Sequence, residues 1–297
     1  MLLGLKFDIG YATDEVYRQL YGDREVLSYL RELGVEAVET PVGPETRPDA
    51  LRDHVRRCAD AGMKISLHPY SEASIFNLAY FSPDEDNPCR ELHQRFFSLA
   101  QEAARFQDYP AVVNIHGAAG TPTDTREHLL DRSVAFFAWA KDWCERNAPE
   151  VVVTAELQIS PNGDEGRLRI GDTWGELQAI VERTGVGACW DFGHAYWNTR
   201  RYGWSIEPPE ALLSRIVHVH CHDVHGGDHE PLVYGVVPWR EFLRLLRRAG
   251  FDGRVILEVG PSGFLRAGGL QTLLDSLAAL NECRRMLAAE HNCPPRG

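Results

Sequence analysis

Residues 151–191 read VVVTAELQISPNGDEGRLRIGDTWGELQAIVERTGVGACWD and contain the unit from which the chain is built. The run 151–157 is rich in β-branched and apolar residues, which predicts a buried strand. Apolar residues at helical spacing follow over 174–184 and stop at Gly185, a residue type that commonly ends helices. A second apolar run, 186–191, predicts another strand. The stretch therefore predicts a strand, a helix and a parallel strand in succession.

The same alternation recurs along the chain. Eight short apolar runs are countable, at 2–9, 35–40, 64–68, 111–116, 151–157, 186–191, 215–221 and 254–259. Stretches with helical spacing and charge lie between them, at 23–33, 48–62, 90–107, 125–147, 174–184, 238–249 and 269–289. Because parallel strands need such crossovers, this order predicts a parallel sheet wrapped by helices.

The absence of a phosphate-binding loop distinguishes a closed barrel from an open sheet. Neither Gly-x-Gly-x-x-Gly nor Gly-x-x-x-x-Gly-Lys follows any of the runs, so the nucleotide-binding open sheets lose their main support. The length of 297 residues suits one α/β barrel, which commonly needs about 250 residues. The sequence thus predicts the α/β class, with a single (β/α)8 TIM barrel over residues 1–290 and a flexible tail at 291–297.

The composition restricts partners and location. The net charge of −12 disfavours a nucleic-acid partner, because such proteins need a basic surface. No apolar run of about 18 residues occurs and the first residues lack a basic signal-peptide start, so we expect a cytoplasmic protein with no membrane partner. The seven cysteines are scattered and form no Cys-x-x-Cys pair, which predicts reduced thiols. We expect a small-molecule substrate and leave homo-oligomerisation open.

The residues that end the apolar runs are the main functional signal. Six consecutive strands, the third to the eighth, each end on a side chain that can bind a metal: His68, His116, Glu156, Asp191, His220 and Glu258. The carboxyl ends of barrel strands meet at one pocket, so these residues become neighbours. Any one of them could be an ordinary polar residue at a strand end. Six at matching positions favour a site for a divalent ion such as Mn²⁺, Zn²⁺, Co²⁺ or Fe²⁺.

Two local motifs extend this candidate site. The Asp-Phe-Gly-His194 motif places an imidazole just beyond the sixth strand, where it can bind a metal or a substrate oxygen. In the His-Cys-His-Asp223 motif after the seventh strand, we expect Asp223 to orient a ligand imidazole. We expect His218 and His222 to have structural or supporting roles, since residues two apart on a strand share a face but differ in depth.

Other side chains near the predicted strand ends have two interpretations each. Four arginines could hold one phosphate or carboxylate group, or could belong to ordinary solvated loops: Arg167, Arg169, Arg200 and Arg201. Four tryptophans could stack on a sugar ring, or could pack against helices: Trp174, Trp190, Trp197 and Trp239.

The motifs also carry a family resemblance. They are Leu-His68-Pro-Tyr, Ile-His116-Gly, Ala-Glu156-Leu, Trp-Asp191-Phe-Gly-His194-Ala, His220-Cys-His-Asp223, Asp228-His229-Glu-Pro-Leu and Leu-Glu258. In their order and spacing, from the second strand to the eighth, they resemble the xylose isomerase-like barrel superfamily. That superfamily includes sugar isomerases and epimerases together with the endonuclease IV family.

The resemblance implies two metal arrangements. In the epimerase branch, one Mn²⁺-type ion is bound by four residues, which match Glu156, Asp191, His220 and Glu258. In the endonuclease IV branch, three zinc ions are bound with further residues, which match His68, His116, His194 and an Asp-x-His motif. In this sequence the last motif is shortened to Asp228-His229, and this departure in spacing weakens the expectation of a third ion.

The two arrangements imply two reactions. As an isomerase or epimerase of a small carbohydrate, keto-sugar or polyol, the protein would stabilise an enediolate with its metal ion. Glu156 and Glu258 would exchange protons, with His194 available for a substrate oxygen. As an endonuclease IV-like phosphoesterase, it would use two or three zinc ions to generate hydroxide. We favour the isomerase or epimerase. A lyase could use the same ligands, and a non-catalytic scaffold is disfavoured because it has no need of buried carboxylates.

Overall fold

Eight parallel strands close into a barrel, as the sequence predicts. The computed structural model describes residues 1–69, 75–121, 123–161 and 166–291. The barrel strands are β1 Leu2–Lys6, β2 Ala37–Val42, β3 Lys64–Pro69, β4 Ala111–Ile115, β5 Val151–Glu156, β6 Gly187–Asp191, β7 Ile216–Cys221 and β8 Arg254–Leu257. A short antiparallel pair outside the barrel, Ala119–Gly120 with Leu168–Arg169, was not predicted.

The strands follow each other around the barrel in chain order, and the last one pairs with the first, with Leu2 opposite Arg254. Every neighbouring pair is parallel, so all eight carboxyl ends open on the same side. This closure brings residues from the whole length of the chain to one end of the barrel.

Helices surround the barrel and connect its strands. They are α1 Glu15–Tyr21, α2 Val26–Glu32, α3 Pro48–Asp60, α4 Pro88–Gln107, α5 Arg126–Asn147, α6 Trp174–Thr184, α7 Phe192–Tyr202, α8 Glu210–Leu213, α9 Trp239–Arg248, α10 Pro261–Arg266 and α11 Leu270–His291. A short 3₁₀ helix lies at Leu78–Tyr80. The sequence did not predict α1, α7, α8 and α10. These four helices are 4 to 11 residues long, and α7 follows β6 without an intervening loop.

The interior of the barrel is partly polar, and this positions the candidate site. Side chains of a strand point alternately to its two faces, so residues two apart share the interior. His218 and His220 on β7 both point inward at different depths, as expected. Deeper in the barrel, Thr154 donates a hydrogen bond of 2.8 Å to Asn114 Oδ1. Apolar side chains fill the layer between strands and helices.

Three further expectations concern the rest of the chain. No helix among the described residues has the length and apolar character needed to cross a membrane. Six described cysteines are buried free thiols, as predicted: Cys58, Cys89, Cys144, Cys189, Cys221 and Cys283. The predicted tail at 291–297 lies outside the described residues, apart from the backbone of His291 at the end of α11.

Candidate metal centre

The six side chains predicted at the strand ends lie together at the floor of one cavity. The cavity has a volume of about 820 Å³ and is lined by His68, His116, Glu156 and Glu258, among others. Asp191 and His220 are completely buried in direct contact with these residues. The barrel therefore brings all six together, and their role as metal ligands stays a prediction.

An inner cluster consists of His68, His116 and Glu156. His68 Nε2 lies 3.5 Å from Glu156 Oε2, and His116 Nε2 lies 3.2 Å from Glu156 Oε1. His68 Nδ1 donates to the Asn114 carbonyl at 2.8 Å. Burial also lowers the pKa of His68, which favours the neutral ring. The Nε2 lone pair of His68 is therefore directed at Glu156 and available to a cation.

A central cluster consists of Glu156, Asp191, His220 and Glu258. His220 Nδ1 lies 3.5 Å from Glu156 Oε2, 3.6 Å from Asp191 Oδ2 and 2.7 Å from Glu258 Oε2. Asp191 is also the N-cap of α7, because its Oδ1 accepts the backbone N–H of His194 at 2.7 Å. The helix start thus holds Asp191 in place and leaves Oδ2 facing the cluster.

An outer cluster consists of His194, Asp228 and His229. His194 Nε2 and His229 Nδ1 lie 3.3 and 3.1 Å from Asp228 Oδ2. His194 Nδ1 donates to the Leu157 carbonyl at 3.0 Å, which leaves Nε2 directed at Asp228. His229 has a φ of 55°, a left-handed conformation that is uncommon outside glycine. With this turn, both residues of the shortened motif still reach the site.

The separations within the clusters are those of atoms that can share an ion. Two atoms bound to one ion at about 2.0–2.2 Å stand roughly 3.0–3.5 Å apart. The inner pairs at Glu156 are 3.5 and 3.2 Å apart, and the outer pairs at Asp228 are 3.3 and 3.1 Å apart. Direct charged hydrogen bonds are typically shorter, about 2.7–2.9 Å. The inner and outer clusters therefore have the spacing of ligand sets.

Several candidate ligand atoms also lack another partner. Three are buried and make no hydrogen bond to any described residue: Glu156 Oε1, His194 Nε2 and Asp228 Oδ1. Buried polar atoms normally have such partners. A cation between imidazole lone pairs and carboxylate oxygens would satisfy both, and this mixture of donors suits Mn²⁺, Zn²⁺ and similar ions. The residues present therefore fit a divalent metal ion.

The electrostatics of the site point the same way. Burial would raise the pKa of the Glu258 carboxyl, but the charges of His220 and His229 hold it well below its usual range. Burial likewise opposes ionisation of Asp191, yet His194 and other imidazoles lower its pKa to about 2. In turn, Glu258 and Asp228 outweigh burial and raise the pKa of His229 to about 10. The carboxylates are thus ionised, and imidazole protons supply the positive charge that a metal would replace.

Sequence reasoning missed two buried residues of the site, Glu39 and Asn114. The oxygens of Glu39, on β2, lie 2.6 Å from Nε2 of both His218 and His220. Asn114, on β4, donates from Nδ2 to Glu156 Oε2. Both lie inside a strand, whereas the predicted ligands lie at strand ends. The available signal was an acid in the run 35–40 and an amide in the apolar run 111–116.

The expected role of Asp223 was wrong. Its carboxylate accepts backbone N–H groups of Val224, Val236 and Val237 at 2.9–3.1 Å instead of binding an imidazole. A carboxylate can accept several hydrogen bonds, and the turn after β7 brings these backbone N–H groups next to it. Asp223 therefore anchors the loop 224–237, which carries Asp228 and His229 of the outer cluster.

His222 lies between the central and outer clusters. Its Nε2 is 3.0 Å from Asp191 Oδ1, which agrees with a supporting role. It is also close enough to Asp191, His194 and His229 to complete a set of four metal-competent side chains.

Of the two interpretations of the tryptophans, packing agrees with the structure, because none of the described Trp, Tyr or Phe side chains lines the cavity. Trp174, Trp190 and Trp239 are buried and pack in the apolar layer outside the strands. Of the four arginines, Arg169 lines the cavity and donates to the Ile159 carbonyl at 3.1 Å. Lys6 at the end of β1 also lines it, 3.8 Å from Glu258 Oε1.

The fold and the cluster define a barrel with a metal-competent site at the carboxyl ends of its strands. The family model described as xylose isomerase-like TIM barrel matches residues 27–283. The chain therefore belongs to the xylose isomerase-like TIM barrel family, as the sequence motifs suggested.

The chain is similar to proteins that are named as an endonuclease and as an epimerase. A probable endonuclease 4 of Mycobacterium ulcerans (strain Agy99) is 25% identical over 239 residues, 77% of this chain and 87% of that protein. The structure of D-psicose 3-epimerase with D-tagatose from Clostridium cellulolyticum H10 has a TM-score of 0.64 at 16% identity, covering 97% of this chain and 99% of that one. The IolI protein with a zinc atom has a TM-score of 0.57 at 15% identity, covering 98% and 99%. The two structural likenesses establish the shared fold.

Proposed function

We propose that this protein is a divalent-metal-dependent isomerase or epimerase of a small carbohydrate, keto-sugar or polyol. The observation that carries the proposal is the pair Glu156 and Glu258. These carboxylates reach the floor of one cavity from β5 and β8, two strands that are not neighbours, on either side of His220. A volume of about 820 Å³ is that of a small-molecule site. The fold shared with an epimerase of keto-sugars supports this substrate class.

The central cluster would hold the ion, through Glu156, Asp191, His220 and Glu258. The zinc atom in the IolI neighbour supports a metal in this fold, and Mn²⁺ suits a single ion with mostly carboxylate ligands. When bound, the ion would supply Lewis acidity that lowers the pKa of a C–H group next to a carbonyl.

The side chains themselves would move the protons. One of the two glutamates removes a proton from carbon on one face of the substrate, and the other returns a proton on the opposite face. Both carboxylates line the cavity, so each is placed to reach a bound substrate. His194 would bind a substrate oxygen at the edge of the same floor. Lys6, 3.8 Å from Glu258, adds a positive charge where an oxyanion would develop.

A second candidate is a multi-zinc phosphoesterase of the endonuclease IV type. The observation that favours it is the completeness of the inner and outer clusters, which a one-ion epimerase has no need to keep. In this case His68, His116, Asp228 and His229 would hold further zinc ions, whose chemistry is the generation of hydroxide. The relative that is 25% identical over most of both chains supports this candidate. The net charge of −12 opposes a polynucleotide substrate.

Metal analysis and solvent exchange together test the proposal. We expect about one Mn-type ion per purified chain, and incorporation of deuterium from solvent into at least one of a panel of keto-sugars that includes D-tagatose. Glu258→Gln should lower the exchange rate by about 10²–10⁴-fold, while the remote surface variant Glu182→Gln should keep it. Two or three zinc ions with phosphodiester hydrolysis and no exchange would select the second candidate. Full exchange in Glu258→Gln would refute the assigned role of the carboxylate pair.

A further inference from the structure

A carboxylate beneath the central cluster connects two imidazoles across the barrel. Glu39 lies in the interior of β2 and is 2% exposed. Its Oε2 is 2.6 Å from His218 Nε2 and its Oε1 is 2.6 Å from His220 Nε2. In the barrel, β2 and β7 are separated by β1 and β8. The contact therefore crosses the barrel interior. Burial of a carboxylate there costs free energy unless the carboxylate is paired.

The proton positions follow from the chemistry of these groups. An ionised carboxylate only accepts hydrogen bonds, so the Nε2 atoms of both imidazoles must carry protons. With Nε2 of His220 protonated, a neutral ring has its lone pair on Nδ1. That atom faces Glu156, Asp191 and Glu258.

We propose that Glu39 is a positioning residue that holds His220 in the orientation and tautomer in which Nδ1 binds the metal ion. His218 completes the arrangement by binding the second Glu39 oxygen and so fixing the plane of the carboxylate. A carboxylate that accepts from the distal nitrogen of a ligand histidine also makes the ligand more basic. The inference rests on the central metal site proposed above, and it adds a residue from a strand that supplies no ligand.

The same residues could be read as a second metal site, because Cys189, His218 and His220 lie close together. The contacts of Glu39 oppose this. Nε2 of both imidazoles already lies at hydrogen-bond distance from the Glu39 carboxylate, 2.6 Å, so neither Nε2 lone pair is offered to an ion at that depth. The Glu39 contacts are hydrogen bonds, and they determine how the ligand above them is presented.

Replacement of Glu39 should therefore lower the affinity of the central site for a metal ion. Without this acceptor, the Nε2–H of His220 is buried and unpaired. The tautomer with the proton on Nδ1, next to Glu258, then becomes the more stable one. In that tautomer Nδ1 has no lone pair for the ion. Removing such a supporting partner typically weakens metal binding by about 10–100-fold.

The test compares zinc affinity among variants of the metal-free full-length protein, by competition with a chromophoric chelator. We expect Glu39→Leu to raise the dissociation constant by about 10–100-fold. Glu39→Gln should raise it less, because the amide oxygen still accepts one N–H. The control Glu36→Gln, which loses an ion pair with Arg284 at the barrel exterior, should leave it unchanged. The zinc-loaded wild-type protein supplies a measurement that does not depend on any variant folding: histidine ¹⁵N shifts should place the His220 proton on Nε2.

Asp191→Asn separates failure of this inference from failure of the metal site. If Asp191→Asn loses zinc while a folded Glu39→Leu binds it as tightly as the wild type, the role of Glu39 is refuted and the site stands. If both variants bind as the wild type does, the central site itself is wrong and the inference falls with it. A proton on His220 Nδ1 in the zinc-loaded protein also overturns the role of Glu39.

Discussion

Gly193, the second residue of α7, should be intolerant of even a methyl group because of what lies against it. A Cβ built there would be 2.0 Å from Cε1 and 2.4 Å from Nδ1 of the His222 ring. Ordinary van der Waals contact begins at 3.4 Å, so the ring must move by about 1.4 Å in a closely packed interior. His222 Nε2 is 3.0 Å from Asp191 Oδ1, and a shift of that size breaks this hydrogen bond.

The expected cost of Gly193→Ala is the sum of opposing effects. Alanine in place of glycine favours a helix by up to about 1 kcal/mol. Overpacking costs about 1–3 kcal/mol, and loss of a hydrogen bond to a charged group costs about 1.5–3 kcal/mol. The net destabilisation is therefore roughly 1.5–5 kcal/mol. Gly175→Ala is the matched control, since Gly175 is the second residue of α6 and a Cβ there meets nothing within 4 Å. It should be neutral or slightly stabilising.

Urea unfolding of the metal-free proteins measures this difference, and metal analysis follows its effect on the site. We expect a lower unfolding midpoint and a lower metal content for Gly193→Ala alone. A Gly193→Ala protein with the stability and metal content of the wild type would contradict this prediction, because His222 would then move without consequence for Asp191.

Two other predictions concern residues outside the ligand clusters. Burial lowers the pKa of His93 from 6.5 to about 4, so the stability it contributes is present above pH 6.5 and is lost as the pH falls towards 4. Between pH 8 and pH 5, the free energy of unfolding of the wild type should fall by about 2 kcal/mol more than that of His93→Leu, as measured by urea unfolding. Equal losses in both proteins would contradict this. Asp223→Asn should cost about 1–3 kcal/mol, because backbone N–H groups of its loop lose acceptors. Hydrogen exchange should accelerate at Val236 and Val237, and unchanged exchange there would argue against the anchoring role of Asp223.

The strand-end residues of the site were predictable because barrel geometry converts a local feature into a shared location. His68, Glu156 and Asp191 each follow an apolar run, and parallel closure carries the ends of all such runs to one side of the barrel. His194 was predictable as a neighbour of the sixth strand, although the helix that carries it was not. In these cases a few residues of local sequence contain the necessary information.

Glu39 was not predictable in the same way. Its partners are 179 and 181 residues away, and a single acid within a strand could equally face the helices or solvent. Which walls of a barrel face each other, and at what depth, depends on the stagger of all eight strands. The prediction for Asp223 was wrong for a related reason. The N–H donors that its carboxylate accepts depend on the path of the loop after β7.

The sequence by itself determined the number and order of the eight barrel strands, seven of the helices between them, and the chemistry offered at the strand ends. Hydrophobic periodicity and helix-ending glycines are local properties, so they act before any tertiary contact forms. Only the tertiary structure decided the grouping of candidate ligands into inner, central and outer clusters. It also decided the return of Asp228 and His229 to the site through a left-handed turn, and the support of His220 by Glu39. These features are distances across a closed barrel, and such distances exist only once every strand has its register.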